Sequence, residues 1–264
     1  MRTWMSVAAR AATLSAALSV GCAGLLGWTA QAQASPALGK LHYLTEEYKP
    51  YNFTGPSGEP TGLAVELLQR VWQQTDTPAQ PIGILPWARG YYLLTQKPNV
   101  VLFSTARTEA RSPLFKWACP IGYAEIVLLG LAKRDIQLKT LEEAQRYNVG
   151  AVRTDVGEQL LLNNGFDEQK IMTANRLPQA LRMLTSGRVD LVSTNKTTMQ
   201  YLIAVQQLDP AQFKVAWVLS SEQFCFAFSH AVDDELVQEF QRGLTQVLAS
   251  EAFLRLQHKY FPAP

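Results

Sequence analysis

Short apolar and β-branched runs alternate with stretches of helical periodicity along most of this chain, and that alternation limits the folds open to it. Residues 41–44, 82–84 and 100–104 each suit a buried strand, while residues 61–72 put Leu63, Leu67 and Val71 on one helical face with Leu68 and Trp72 beside it. Residues 88–96 form a second helical stretch, and a turn-rich loop fills 48–60. Strand and helix in strict alternation predict an α/β architecture, mainly parallel sheet flanked by helices.

A second series of the same kind follows. Residues 126–132 read as a strand, and Thr140 with Glu143 three residues on has the spacing of a capping box opening a helix. Then come a strand at 148–152, a helix at 155–163 stopped by Asn164 and Gly165, a strand at 171–173, a helix at 177–186 stopped by Gly187, and a strand at 189–194. Two further strands are expected at 213–218 and 224–229. The C-terminal end is helical, with Leu236, Phe240, Leu244 and Val247 on one face and Ser250 capping a last helix through Leu256.

The first 34 residues read as a secretory signal, because Arg2 and Arg10 flank an Ala/Leu/Val/Ser-rich run that ends in the small-x-small site Ala32-Gln33-Ala34. An uncleaved anchor competes with that reading, but Gly21, Gly24, Gly27, Gln31 and Gln33 interrupt the run, and about 20 apolar residues are needed to span a bilayer. Cys22 after Ser19-Val20-Gly21 loosely resembles a lipoprotein site, with Ser19 where leucine is usual. Of 24 basic and 22 acidic residues in the chain, the signal holds two basic residues and no acid, so the mature protein is neutral and no nucleic-acid partner is indicated. About 230 mature residues make one large domain or two small lobes. Export places the two remaining cysteines, Cys119 and Cys225, in a compartment that permits a disulfide, and a pair of buried thiols is the alternative.

Six segments taken in order carry a family resemblance: Thr45-Glu-Glu-Tyr-Lys-Pro-Tyr-Asn-Phe53, Thr61-Gly-Leu-Ala-Val-Glu-Leu-Leu68, Leu85-Pro-Trp-Ala-Arg89, Thr108-Glu-Ala-Arg111 with Phe115-Lys-Trp117, Ser186-Gly-Arg-Val-Asp-Leu191 and Leu256-Gln-His-Lys-Tyr-Phe261. In this order and spacing the chain resembles the family 3 extracellular solute-binding proteins that serve polar amino-acid ABC transporters, over nearly all of residues 40–262. The resemblance implies a two-lobe periplasmic binding protein fold of type II with a two-crossover hinge. Lobe I would comprise 35–122 and 221–264, lobe II 123–220, with crossings near 122–124 and 219–224. Such a topology would bring Cys119 and Cys225 near the hinge from both sides, where a bridge needs Cα atoms within roughly 7 Å.

The resemblance also points to a ligand site. Arg111 stands where similar proteins hold a ligand carboxylate, and a guanidinium fork suits that task, although Arg107 in the same loop could take the role. Tyr48 and Trp87 fall where the family places ring walls, with core packing as the plainer role for either. Ser104 matches a ligand-contacting strand end. Arg153 and Thr154 precede a helix start, where free N–H groups attract anions, and capping by Thr154 or Asp155 is the structural alternative.

Asn195 stands where amino-acid binders of the family carry an aspartate for the α-ammonium, and Thr45 where some carry another. An amide supplies no charge, so an ammonium would need Glu46 or Glu47 instead. The expected function is a periplasmic solute receptor, monomeric and without cofactor or metal, whose closed form is read by an inner-membrane ABC permease or a sensor protein. His42, His230 and His258 are too scattered for a metal site. A secreted cyclohexadienyl dehydratase on the same fold is the enzyme alternative, with Glu46 or Glu47 as its acid or base.

Overall fold

The strands and helices of the first series form where the periodicity puts them. In a computed structural model, which describes residues 38–261, β1 (His42–Thr45) leads through the hairpin β2 (Phe53–Thr54) and β3 (Pro60–Thr61) into α1 (Leu63–Gln74). β4 (Ile82–Ile84), α2 (Trp87–Gln96) and β5 (Val100–Arg107) complete the series. β1 lies between β4 and β5 and is parallel to both. The apolar face of α1 is buried from Leu63 to Trp72 and packs with α6 (Asp234–Leu248) and α7 (Glu251–Tyr260), whose N-caps are Asp233 and Ser250. The expected signal segment, its expected cleavage site and Cys22 lie outside the described residues. Among those described, no helix is long and apolar enough to cross a membrane.

The second series builds the other end of the same sheet. β7 (Val149–Val152) is parallel to β8 (Ile171–Ala174) and β9 (Leu191–Asn195), with α3 (Val156–Asn163) and α4 (Leu177–Thr185) as crossovers. Gly165 and Gly187, both at positive φ, follow α3 and α4 as the sequence predicts.

Two strands of 16 residues join the ends: β6 (Lys116–Leu131) and β10 (Phe213–Phe228). At about 3.3 Å per residue each runs roughly 50 Å, long enough to serve both ends. The sheet order is β4-β1-β5-β10-β6-β9-β7-β8. The central pairings β5/β10, β10/β6 and β6/β9 are antiparallel, so the eight-stranded sheet is mixed rather than parallel throughout. Its two outer thirds are the parallel parts.

Three local expectations need correction. The strands expected at 213–218 and 224–229 are one strand, whose register slips between Val215 and Trp217, Val218 and Ser220, and Phe224 and Phe226 without ending it. The helix expected at Thr140 is a single short 3-10 segment, Glu142–Arg146, and Glu143 accepts from the Lys139 N–H (2.7 Å) instead of capping at Thr140. Chain length explains this, since β7 begins three residues after that segment. A helix absent from the expectation, α5 (Lys196–Val205), follows β9 with no loop between, because the Asn195 side chain accepts from the Thr198 N–H (2.8 Å) and caps it directly.

The two segments expected as crossings lie side by side inside these long strands, with Gly122 opposite Phe224 and Tyr123 opposite Gln223. Beside them Cys119 and Cys225 form a disulfide with a Cα–Cα distance of 4.6 Å. The Gln241 side chain from α6 holds both backbone groups of Cys119, accepting from its N–H (2.7 Å) and donating to its carbonyl (2.9 Å).

Candidate functional site

The loop after β5 carries Arg111 inward. The Thr108 hydroxyl accepts from the Arg111 N–H (3.2 Å) and the Thr108 carbonyl from the Ser112 N–H (2.8 Å), a tight turn that leaves Arg111 0% exposed. Its guanidinium donates from Nε to Gln159 Oε1 (2.8 Å), from Nη2 to the Thr154 carbonyl (3.1 Å) and, more weakly, from Nη1 to the Ala106 carbonyl (3.5 Å). The rings of Trp87 and Tyr91 lie 5.2 and 5.1 Å from its centre, within cation–π range. Trp87 Nε1 donates to the same Thr154 carbonyl (2.9 Å). One carbonyl at the start of α3 is thus held by two side chains from the opposite end of the sheet.

Thr154 adopts φ 59°, the left-handed region, which costs a β-branched residue about 1–3 kcal/mol. Its N–H is held by the Glu158 carboxylate, and Asp155 caps the helix by accepting from the Val156 N–H (2.6 Å). Ser104 is also left-handed, at φ 59°, and donates to Asn52 Oδ1, while Asn52 Nδ2 donates to the Glu46 carbonyl (2.7 Å). A chain of side chains therefore runs from β5 to the backbone of Glu46. Two non-glycine residues in this strained region, one from each end of the sheet, mark the site as one the surrounding structure holds in place.

Two carboxylates, again one from each end of the sheet, act on the guanidinium. Burial pushes the Glu46 carboxyl well above its usual range, the Asp155 charge pushes it further, and Arg111 opposes both. Asp155 is raised as well, chiefly by burial, with Arg111 and the Val156 N–H pulling it down. Both residues keep part of their surface, so their enclosure comes from the cleft walls rather than from core packing. Burial also raises the Tyr48 hydroxyl and lowers Arg111.

The remaining expected residues divide. Tyr48 and Trp87 are buried against the cluster, and Tyr48 packs edge-on against Phe224. Asn195 is 1% exposed, and its Nδ2 has no hydrogen-bond partner among the described residues. The buried Thr198 hydroxyl comes near Tyr48 without meeting hydrogen-bond geometry. Arg153 is exposed, and only its backbone is engaged, donating to the Ala174 carbonyl (2.9 Å). Arg107, the alternative anchor, is also exposed, bonded to Ser112 (3.2 Å) and lying over Trp117. Glu47 turns away to accept from the Thr54 N–H (2.9 Å) and hydroxyl, bracing β2.

Sequence reasoning did not single out Gln159 or Tyr91. Both were within reach of helical spacing, Gln159 four residues after Asp155 and Tyr91 four after Trp87, each on its partner's face. Asn52 had no such signal, because a loop side chain's target depends on the folded loop. Outside the cluster a chamber of about 500 Å³ opens between Glu46, Glu47, Ile84 and Pro86 on one side and Asn175 and Arg176 on the other. A second hollow of about 250 Å³ shares Glu47 and Arg176 with it and reaches Thr198.

Residues 42–263 match the bacterial extracellular solute-binding proteins, family 3. Among solved structures, the chain is similar to a histidine kinase sensor domain with similarity to periplasmic binding proteins (TM-score 0.73, 18% identity, 84% of this chain and 96% of that one). It is similar to an ABC uptake transporter substrate-binding protein from Streptococcus pneumoniae with bound histidine (TM-score 0.76, 16% identity, 87% and 96%). It is also similar to the arginine-, lysine-, histidine-binding protein ArtJ from Geobacillus stearothermophilus (TM-score 0.71, 18% identity, 85% and 96%). At these identities the likeness is one of fold, and that fold is the type II periplasmic binding protein fold. No curated protein sequence matches the chain significantly.

Proposed function

Because the chain belongs to the bacterial extracellular solute-binding proteins of family 3, we propose that it captures a small carboxylate-bearing solute, an amino acid or related compound, in the periplasm by closing two lobes around it, for delivery to an ABC importer. Lobe I is 35–122 with 221–264, lobe II is 123–220, and the paired stretch of β6 and β10 is the hinge. The observation that carries this reading is Arg111, a fully buried guanidinium within cation–π range of two neighbouring aromatic rings, with donors directed at Thr154 and Gln159 of lobe II. When the lobes part, the fork is free to take a carboxylate in two parallel bonds. Ligand then favours the closed form by as much as it binds that form better.

Tyr48 and Trp87 wall the solute, Ser104 sets the floor through Asn52, and Thr154 with Asn195 closes from lobe II. Amino-acid binding by proteins of the same fold agrees with this reading. A second reading, a periplasmic sensing module, is favoured by the fold shared with a histidine kinase sensor domain. It uses the same cleft and differs only in the partner. The dehydratase alternative would call on Glu46, whose carboxyl is raised as an acid catalyst's would be. Turnover of prephenate or arogenate by the purified protein tests it directly.

The main test is thermal-shift screening of the purified protein against amino acids, amines, organic acids and short peptides, beside Arg111→Ala and Arg111→Lys. A solute at about 100 times its dissociation constant adds roughly 2.7 kcal/mol of stability. A carboxylate hit weakened in Arg111→Lys and lost in Arg111→Ala is expected. A hit that survives both substitutions removes Arg111 as the anchor, and a blank screen removes the receptor reading.

A further inference from the structure

The first turn of α5 carries buried hydrogen-bonding groups that the rest of the protein does not use. Asn195 Oδ1 accepts from the Thr198 N–H (2.8 Å), the bond that caps the helix. A backbone N–H only donates, so this bond fixes which way the amide faces and leaves Nδ2 a donor with no partner among the described residues. The buried Thr198 hydroxyl is unpartnered in the same sense. Buried polar groups are nearly always paired, and an unpaired one costs free energy, so two on a single turn of helix call for a partner from outside the chain.

The turn supplies no free charge to that partner. Lys196, next to Asn195, is paired with Glu125 of β6 (3.0 Å). From lobe I the buried Tyr48 brings a third neutral group, its hydroxyl, near the Thr198 hydroxyl. Asp155 is close enough to influence both Tyr48 and Arg111, so these neutral groups lie near the carboxylate anchor. Thr198 also lines the hollow of about 250 Å³ that opens beside Glu47 and Arg176, so this turn borders a cavity as well as the core of lobe II.

We propose that Asn195 and Thr198 recognise an oxygen acceptor on the solute, a hydroxyl or carbonyl beside its carboxylate, and that the solute is a 2-hydroxy or 2-oxo acid rather than an α-amino acid. The inference rests on the receptor reading above and names its solute class. A hydroxyl or carbonyl oxygen accepts from Asn195 Nδ2 and from the Thr198 hydroxyl together, and a hydroxyl also donates to Tyr48. An ammonium has three donors and no acceptor, so it sets N–H against N–H at Asn195 and leaves that group unpaired. A site built to hydrogen-bond its solute rejects an analogue without the matching group, because its own buried groups then go unsatisfied.

Isothermal titration with matched acids tests this. Propionate, 4-methylpentanoate and 3-phenylpropionate are each compared as the 2-hydroxy, 2-oxo, L-2-amino and unsubstituted acid, against the wild type, Asn195→Asp, Thr198→Val and Gln206→Glu. Asn195→Asp keeps a capping oxygen and supplies a negative charge, and Gln206→Glu adds the same charge at the exposed far end of α5 as a control. On at least one skeleton the hydroxy or oxo acid is expected to bind at least about tenfold more tightly than both the amino and the unsubstituted acid. That preference is expected to shift toward the amino acid in Asn195→Asp, to shrink in Thr198→Val and to persist in Gln206→Glu. An amino or unsubstituted acid that binds as tightly as its hydroxy and oxo counterparts overturns the inference and leaves the receptor reading standing, as does a preference unchanged in Asn195→Asp or in Thr198→Val. Absence of binding by every probe overturns both.

Discussion

Replacing both Cys119 and Cys225 by alanine tests the central connection of the fold. The bridge spans 106 residues of sequence and closes a loop that contains the whole β7-β8-β9 end of the sheet. Loop-closure entropy for about 100 residues corresponds to roughly 4.7 kcal/mol, and losses on removing native disulfides fall between about 2 and 5 kcal/mol. For a chain of this size each kcal/mol moves the melting temperature by about 2–4 °C, so a fall of roughly 4–20 °C is expected by scanning calorimetry. Because the bridge acts mainly on the unfolded ensemble, solute affinity is expected to change less than about twofold. The full chain has three cysteines, so with the bridge intact a denatured, unreduced sample exposes one thiol, Cys22, and a reduced sample three. A melting temperature within about 2 °C of wild type, or three thiols before reduction, would refute the argument.

Two further outcomes follow from the site and its support. Glu46 has its carboxyl raised above the ordinary 4.5 in the folded protein, so that protein binds more protons than the unfolded chain, and this contribution to stability is full below pH 4.5 and lost as pH rises through the raised value. Wild type is therefore expected to lose stability relative to Glu46→Gln as pH rises above 4.5, and melting curves that stay parallel across that range would show the carboxyl is not perturbed. Gly62 sits at φ 121°, and a Cβ added there would lie only 2.3 Å from the Tyr51 carbonyl oxygen, so Gly62→Ala is expected to cost about 3 kcal/mol in urea unfolding, and a loss under about 1 kcal/mol would contradict the close approach.

Much of the fold was legible because its elements are local. The α1 and α6 faces, the stops at Gly165 and Gly187 and the cap at Ser250 depend on side chains within a few residues of one another. α5 escaped notice because β9 runs into it through one capping residue, leaving no turn composition to mark the change. The unbroken β10 escaped notice for a different reason: between Val218 and Phe224 its strand conformation is maintained by pairing with β6, a partner about a hundred residues away.

The site divides in the same way. Arg111, Trp87 and Tyr48 were named from motif and residue chemistry; the structure sets Trp87 beside Arg111 and packs Tyr48 against Phe224. Arg153 was named with Thr154 because both precede a helix start; its side chain is exposed, and the contacts at this point are made by the Thr154 carbonyl, a group that every residue possesses. Sequence alone determined the α/β alternation, most helix boundaries and the guanidinium after β5, since each follows from periodicity or from one side chain's chemistry. Only the tertiary structure decided that Glu46 and Asp155, 109 positions apart, both come close enough to Arg111 to be influenced by its charge. Charges interact through distance and dielectric, and both are set by how the chain packs rather than by its order.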